Sequence, residues 1–427
     1  MSPFQYKNNS LHCDSVALTT LAEKFGTPLY VYSANRLREN YRRLVKAFAK
    51  IKPTICYSVK ANSNLSLLKI LKDEGASFDI VSGGELFRVL KINADPKHVV
   101  FAGVGKTESE IDFAIQSNVG WINVESEGEL LRVDERCRRL NAVATVAIRL
   151  RPDVDAATHQ HISTGHTTSK FGVPIHLALE MTRMKLSNVK IRGAHIHIGS
   201  QLGNPEATLK AIEVTLDFVA RANQAGAEIE ALDVGGGFPV AYRADEPKPD
   251  IESFAAPIVD RLVQSPIKNF HLEPGRFIIA DTAALITTVQ YVKDRIAIVD
   301  AGMQTLIRPA LYEAYHQVLP IVGAMHVSPR SEAERDASPL QKMDIAGPIC
   351  ESSDFLARDR ELPNLKSGDL LAFTHAGAYG FSMASNYNSH PLPAEVLVEG
   401  ERYRVIRRRQ TLEDLIKSEI PIDAHSA

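Results

Sequence analysis

Four cysteines are few for 427 residues, and Cys13, Cys56, Cys137 and Cys350 show no C-x-x-C spacing. That argues against a zinc cluster and a disulfide framework, so a special cysteine here would act as a free thiol. Long hydrophobic runs are missing too: none approaches the roughly 18 residues that a membrane span requires. Nor is there an excess of one charge. The 49 Lys and Arg against 51 Asp and Glu give a net charge of −2, which leaves no basic face for nucleic acid. The opening MSPFQYKNNSLHCDS has no apolar segment after a basic start, so nothing marks it for secretion and the cytoplasm is expected. What is present is 44% hydrophobic residues, enough for a large core, and a length suited to two to three domains.

From residue 54 to 273, short apolar runs with strand character alternate with amphipathic, helix-length segments. The strand-like runs are TICYSVK, SFDIVSG, HVVFAG, WINVES, ATVAIRLRP, IRGAHIHIGS, IEALDVGGG and NFHLEPG. Segments such as LSLLKILKDEG and EATLKAIEVTLDFVARANQAG between them carry apolar residues at helical spacing and end in glycine. Eight such units predict an α/β fold, a (β/α)8 TIM barrel over residues 28–280. An open doubly wound sheet is the runner-up, weakened because no G-x-G-x-x-G follows the first strand. TPLYVYS, residues 27–33, is a ninth strand that either leads into the barrel or pairs elsewhere. After residue 281 the runs ITTVQYV, RIAIVDAG, DIAGPI, DLLAFTHAG and the hairpin AEVLVEGERYRVIRR predict a β domain over 281–427, completed by residues 1–27. Within it, HVSPRSEAERDASPLQK reads as an exposed loop, and Thr411 with Asp414 caps a short closing helix.

In a barrel the C-terminal strand ends share one mouth, and polar residues there are candidate chemistry. Lys60 ends the first strand, and Asp79, Glu125, Arg149, His197, Ser200 and Glu273 follow at later ends. Gly235, Gly236 and Gly237 give up side chains for close backbone approach, which suits N–H groups around a phosphate or a plain turn. Pro274, Gly275 and Arg276 at the next strand end favour the phosphate, since barrels often bind it in their last two loops. A phosphate site, a lysine across the mouth and a carboxylate at Glu273 suggest pyridoxal phosphate, with Lys60 as its Schiff-base lysine and Glu273 on the pyridinium nitrogen. His197 would lie on the ring. A phosphosugar enzyme is the competing reading.

YSVKAN, FDIVSGGEL, STGHTTSKFG, HIHIGSQ, LDVGGGFP, LEPGRFI, RPALYEAYH, GPICESSDF and GAYGFSMASNYN together resemble the fold-type III pyridoxal phosphate decarboxylases, and within them the branch acting on diaminopimelate. The resemblance implies a barrel that carries pyridoxal 5'-phosphate, a β-sandwich-like second domain, and a homodimer with shared active sites. It implies that Ser200, the glycines, Gly275 and Tyr379 hold phosphate and ring, that Asp79 lies near Lys60, and that the neighbouring subunit's Cys350 donates a proton. Arg276, Arg308 and Tyr312 match the clamp on the distal carboxylate of meso-diaminopimelate, and Glu351 the contact to its distal amine. The implied reaction is decarboxylation to L-lysine and CO2, the last step of lysine biosynthesis. No metal is expected. Alternatives are a decarboxylase of another basic or carboxylate-bearing amino acid, or a non-catalytic regulatory relative, for which Lys60, Glu273 and Cys350 would be superfluous. In SNYNSHPLPAEV, His390 and Leu392 stand where the resemblance leads one to expect arginines.

Overall fold

A computed structural model describes residues 2–154, 170–243, 245–246, 250–322 and 340–420. The chain divides into two compact units. One is Leu37–Ala241 with Pro247–Ile278; the other is Met1–Arg36 with Tyr242–Glu246 and Ile279–Ala427.

The first unit is the predicted barrel. Its strands are β1 (Thr54–Ser58), β2 (Ser77–Ile80), β3 (Val99–Phe101), β4 (Trp121–Val124), β5 (Ala144–Arg151), β6 (Val189–His195), β7 (Ala231–Asp233) and β8 (Asn269–Leu272). Each pairs in parallel with the next, and β8 returns to β1 through His271↔Thr54 and Leu272↔Ile55, so the sheet is closed. The loops end in residues that start helices. Asn64, Ser82, Thr107, Ser126 and Asp250 each accept a backbone N–H in the first turn of the helices Leu65–Asp73, Gly83–Lys91, Glu108–Gln116, Glu127–Arg139 and Ile251–Val263. Their short polar side chains satisfy donors that a helix start would otherwise leave unpaired. Inside the barrel, Trp121 meets His271 edge-on at 5.5 Å between ring centres.

The second unit is rich in β-structure. One sheet runs in the order Phe355–Leu362, Gln341–Ala346, Ile296–Val299, Ala283–Lys293, Leu29–Ser33, Ala394–Glu399 and Arg402–Arg407. Leu370–Thr374 pairs with both Ala283–Lys293 and Val318–Pro320. The strand Leu29–Ser33, expected within the 28–280 segment, lies here, between Ala283–Lys293 and Ala394–Glu399. Both of its faces are covered: Leu29 and Val31 join an apolar cluster with Phe4, Leu11, Val16 and Val396, while the Tyr30 and Tyr32 hydroxyls donate to Thr305 O and Glu395 Oε1. The N-terminal strands Phe4–Lys7, Ser10–Cys13 and Val16–Ala17 form a small sheet against that cluster. The hairpin turns at Gly400, and the Thr411–Asp414 capping box starts the helix Leu412–Ile416. Most of the charged stretch HVSPRSEAERDASPLQK lies outside the described residues. Among those described, no helix is long and apolar enough to cross a membrane.

Candidate active site

Lys60 is not the last residue of its strand. β1 stops at Ser58, and Val59–Ala61 form one 3-10 turn. The Ser58 N–H donates to Pro274 O, and a Cβ on Gly275 would stand 3.1 Å from Ala61 Cβ, so the β8 loop crowds this corner and the chain turns away. The turn sends Lys60 Nζ to within 3.1 Å of Asp79 Oδ2, which also accepts Ser58 Oγ–H at 2.8 Å. Asp79 is fully buried, whereas the Lys60 side chain keeps 36% exposure. Burial pushes the Asp79 carboxyl up, Glu273 adds to this, and the attraction of Lys60 and the Ser58 hydroxyl does not offset it. Lys60, Arg149, His195, His197 and Glu273 line one cavity of about 350 Å3.

Glu273, just past β8, is buried. Its Oε2 lies 3.2 Å from His195 Nε2, and its Oε1 is enclosed with no hydrogen-bond partner among the described residues. Burial alone would raise this carboxyl, but His195, Lys60 and His197 together hold it well below the ordinary carboxylate range. Asp233 behaves in the opposite way. Burial and the nearby Glu273 push it well up, although its Oδ1 accepts the Gly235 N–H at 2.8 Å.

The His197 Nδ1 accepts the Gly236 N–H at 3.2 Å, which leaves the ring proton on Nε2. Burial, with Lys60 and Arg149 nearby, lowers this imidazole to about 3, so the ring is neutral at pH 7. The glycine run is first a packing requirement: a Cβ on Gly236 would meet Glu273 O at 2.4 Å, and Gly235 has a φ of 73°. The amides of Gly235 and Gly236 are taken up by Asp233 and His197, a use the phosphate expectation did not include. Arg276 Nε donates to Ser200 Oγ at 3.2 Å, joining two residues expected to hold phosphate. Arg149 is held by Glu125 at 2.9 Å and stacks 4.6 Å from the Phe171 ring.

The remaining expected residues belong to the β-rich unit. Arg308 is buried, its Nη1 donates to His316 Nε2 at 2.9 Å, and its guanidinium lies 4.8 Å from the Tyr242 ring centre. It begins the single-turn helix Arg308–Tyr312, which ends at Glu313 in the left-handed region. Cys350 is exposed, and its N–H donates to Asn388 Oδ1; the adjacent Glu351 accepts from the Tyr387 hydroxyl at 3.3 Å. Tyr379 has a φ of 56°, uncommon for a bulky side chain. Such strain concentrates at functional sites.

Residues 34–280 match the model of the pyridoxal-dependent decarboxylase family, pyridoxal binding domain. The chain belongs to this family. A diaminopimelate decarboxylase of Neisseria meningitidis serogroup A is 44% identical over 417 residues, which cover 96% of this chain and 99% of that one. Among solved structures, the diaminopimelate decarboxylase of M. jannaschii in complex with L-lysine has a TM-score of 0.91 at 35% identity, covering 99% of both chains. The Helicobacter pylori diaminopimelate decarboxylase with L-lysine has a TM-score of 0.86 at 38% identity, covering 94% of this chain and 98% of that one. As a family member the protein uses pyridoxal phosphate, and the residues fit it. A cavity-facing lysine and an enclosed carboxylate oxygen without a protein donor suit an aldehyde-bearing, ring-protonated cofactor.

The expected list omitted His195 and Asp233. The signal for His195 was in HIHIG, where a second histidine stands two residues before His197; both line the same cavity. Asp233 carried no signal, since only the closed barrel brings it close to Glu273, just past the neighbouring strand.

Proposed function

We propose that this protein is a pyridoxal phosphate-dependent carboxy-lyase that converts meso-2,6-diaminopimelate to L-lysine and CO2. The single observation carrying the chemistry is the buried Glu273 with one carboxyl oxygen unpartnered among the described residues, in the same cavity as Lys60. Pyridoxal phosphate supplies an electron sink for the pair left when a carboxylate departs as CO2.

The protein's own residues do the rest. Lys60 is the amine assigned to anchor the cofactor, and Asp79 Oδ2 orients it. Glu273 would hold a negative charge at the position assigned to the ring nitrogen, whereas an arginine there, a donor with no acceptor, would leave that nitrogen unprotonated and weaken the electron sink. His197 offers a neutral, flat ring, so it adds no charge beside the cofactor. Ser200, Gly275 and Arg276 are assigned to the phosphate, with Asp233 and His197 fixing the glycine run beside them.

Substrate choice is assigned to Arg276, Arg308, Tyr312, Tyr379 and Glu351 on the strength of the motif resemblance. A charge-assisted Arg–carboxylate contact contributes about 1.5–3 kcal/mol, roughly tenfold or more against an amino acid lacking the distal carboxylate. Cys350 is assigned as the proton donor, reaching the site of a second copy in a homodimer. Its exposure supports this, because a thiol serving only as core filler is buried, as Cys13, Cys56 and Cys137 are. A cytoplasmic location fits four unpaired cysteines. The deciding experiment is amine product analysis with diaminopimelate, ornithine and arginine supplied separately. Lysine from the first alone is expected; putrescine or agmatine as the main product would overturn the assignment.

A further inference from the structure

His195 and Glu273 are both enclosed, with 1% and 4% exposure. The imidazole Nε2 donates to the Glu273 carboxylate, at 3.2 Å from Oε2. His195 Nδ1 and Glu273 Oε1 are both buried without a partner. The register places Ala194 beside Leu232 and His195 beside Asp233, and Asp233 beside His271. One atom from each of His195, Asp233 and Glu273 lies within 4.8 Å of the others. Two carboxyl groups that close in a dry interior cannot both ionise cheaply, so the donors around them decide which one holds the charge. Asp233 has a backbone N–H on Oδ1 only, and its Oδ2 is buried without a partner. If His195 only filled space, an apolar side chain would do so without burying an unpaired ring nitrogen.

We propose that His195 is a positioning residue: its Nε2–H donates to Glu273 Oε2, keeps that carboxyl ionised in preference to Asp233, and turns Oε1 toward the cofactor ring nitrogen. The last clause rests on the reading that Glu273 partners that nitrogen. Burial works against an ionised Glu273, and His195 is the first of the groups opposing it, ahead of Lys60 and His197. The other titratable groups facing this corner are Asp79, Cys56 and His271. Glu273 raises Asp79 and Cys56 by repulsion, as it does Asp233, and burial keeps His271 neutral at pH 7.

The test uses the full-length holoprotein with carboxyl-13C glutamate, which separates Glu273 from Asp233 and Asp79 in the infrared. At pH 7, His195→Leu is expected to show a protonated glutamic acid band that disappears in the His195→Leu/Glu273→Gln double variant. His195→Gln, whose amide restores a neutral donor, is expected to show no Glu273-dependent band beyond the wild-type spectrum, to which buried Glu85, raised to about 7, already contributes. With ring-15N cofactor, the nitrogen signal is expected to move to the unprotonated position in His195→Leu and to stay in His195→Gln. If leucine does not fold, His195→Ala gives the same comparison. Absence of a Glu273-dependent acid band in the donor-less variant overturns the proposal, as does an acid band of equal size in His195→Gln. If the band behaves as expected but Glu273→Gln leaves the 15N signal unmoved, His195 still governs Glu273, and it is the pyridinium reading that fails.

Discussion

Lys60 Nζ stands 3.1 Å from Asp79 Oδ2, a cavity-facing amine tethered to a carboxylate sealed inside the barrel. The tether holds the amine at the mouth, where a free lysine would sweep a wide arc. Lys60→Ala is expected to abolish turnover and the visible absorbance of the bound cofactor while far-UV circular dichroism is unchanged. Borohydride trapping followed by peptide mapping checks it; label on another lysine would remove Lys60 from this role.

Arg308 is held by a neutral histidine. His316 Nδ1 faces Thr374 O at 3.0 Å and therefore carries the proton, so Nε2 accepts from Arg308. Arg308→Ala is expected to lower kcat/KM for diaminopimelate by about 10- to 100-fold, from a charged contact of roughly 1.5–3 kcal/mol. His316→Ala should lower it less, since the guanidinium survives but loses its hold. Unchanged kcat/KM in Arg308→Ala would place the distal carboxylate elsewhere.

His271, inside the barrel, is pushed down to about 4 by burial, with Glu273 opposing. Its unfolded pKa is about 6.5. Between those values the unfolded chain binds a proton that the native one does not, so stability falls as pH drops from about 6.5 toward 4. His197, lowered to about 3, acts in the same direction. Urea midpoints taken across this range should show a steep decline, and His271→Gln should flatten it by up to about 1.4 kcal/mol per pH unit. An identical slope in the variant would exclude His271 as a contributor.

In a dimer with shared sites, Lys60→Ala and Cys350→Ala each spoil both sites of their own homodimer. A mixed dimer has one site with both residues intact. Random re-association makes about half the dimers mixed, so activity should recover to about a quarter of wild type. Cys350→Ala must itself be nearly inactive for a clear result. After verified subunit exchange, activity no higher than the mean of the two variants would show that the thiol is not donated across an interface.

The barrel was legible because its strands are short apolar runs with polar ends, and a closed parallel sheet buries both faces of each. LYVYS was not assignable from its own pattern. Five consecutive buried residues say that both faces are covered, not by which sheet, and the partners at Ala283–Ile286 and Ala394–Val398 lie far along the chain. Lys60 and Glu273, expected at strand ends of one barrel mouth, line the same cavity. The 3-10 turn under Lys60 could not be read, since the crowding by Gly275 comes from a distant loop. His195 and Asp233 come within 4.8 Å of Glu273, a proximity invisible until the strands are side by side.

The strand Leu29–Ser33 has a bearing on how the protein is made. It leaves the ribosome early, yet its neighbours are residues 283–286 and 394–398, with the whole barrel synthesised in between. Until residues 283–286 emerge this apolar strand has both hydrogen-bonding edges open, and until residues 394–398 emerge one edge stays open, an invitation to pair with another nascent chain. A fragment beginning at residue 279 would have the converse defect, a sheet split at its centre. The order of synthesis therefore leaves the sheet of the β-rich unit incomplete until its last strands are made.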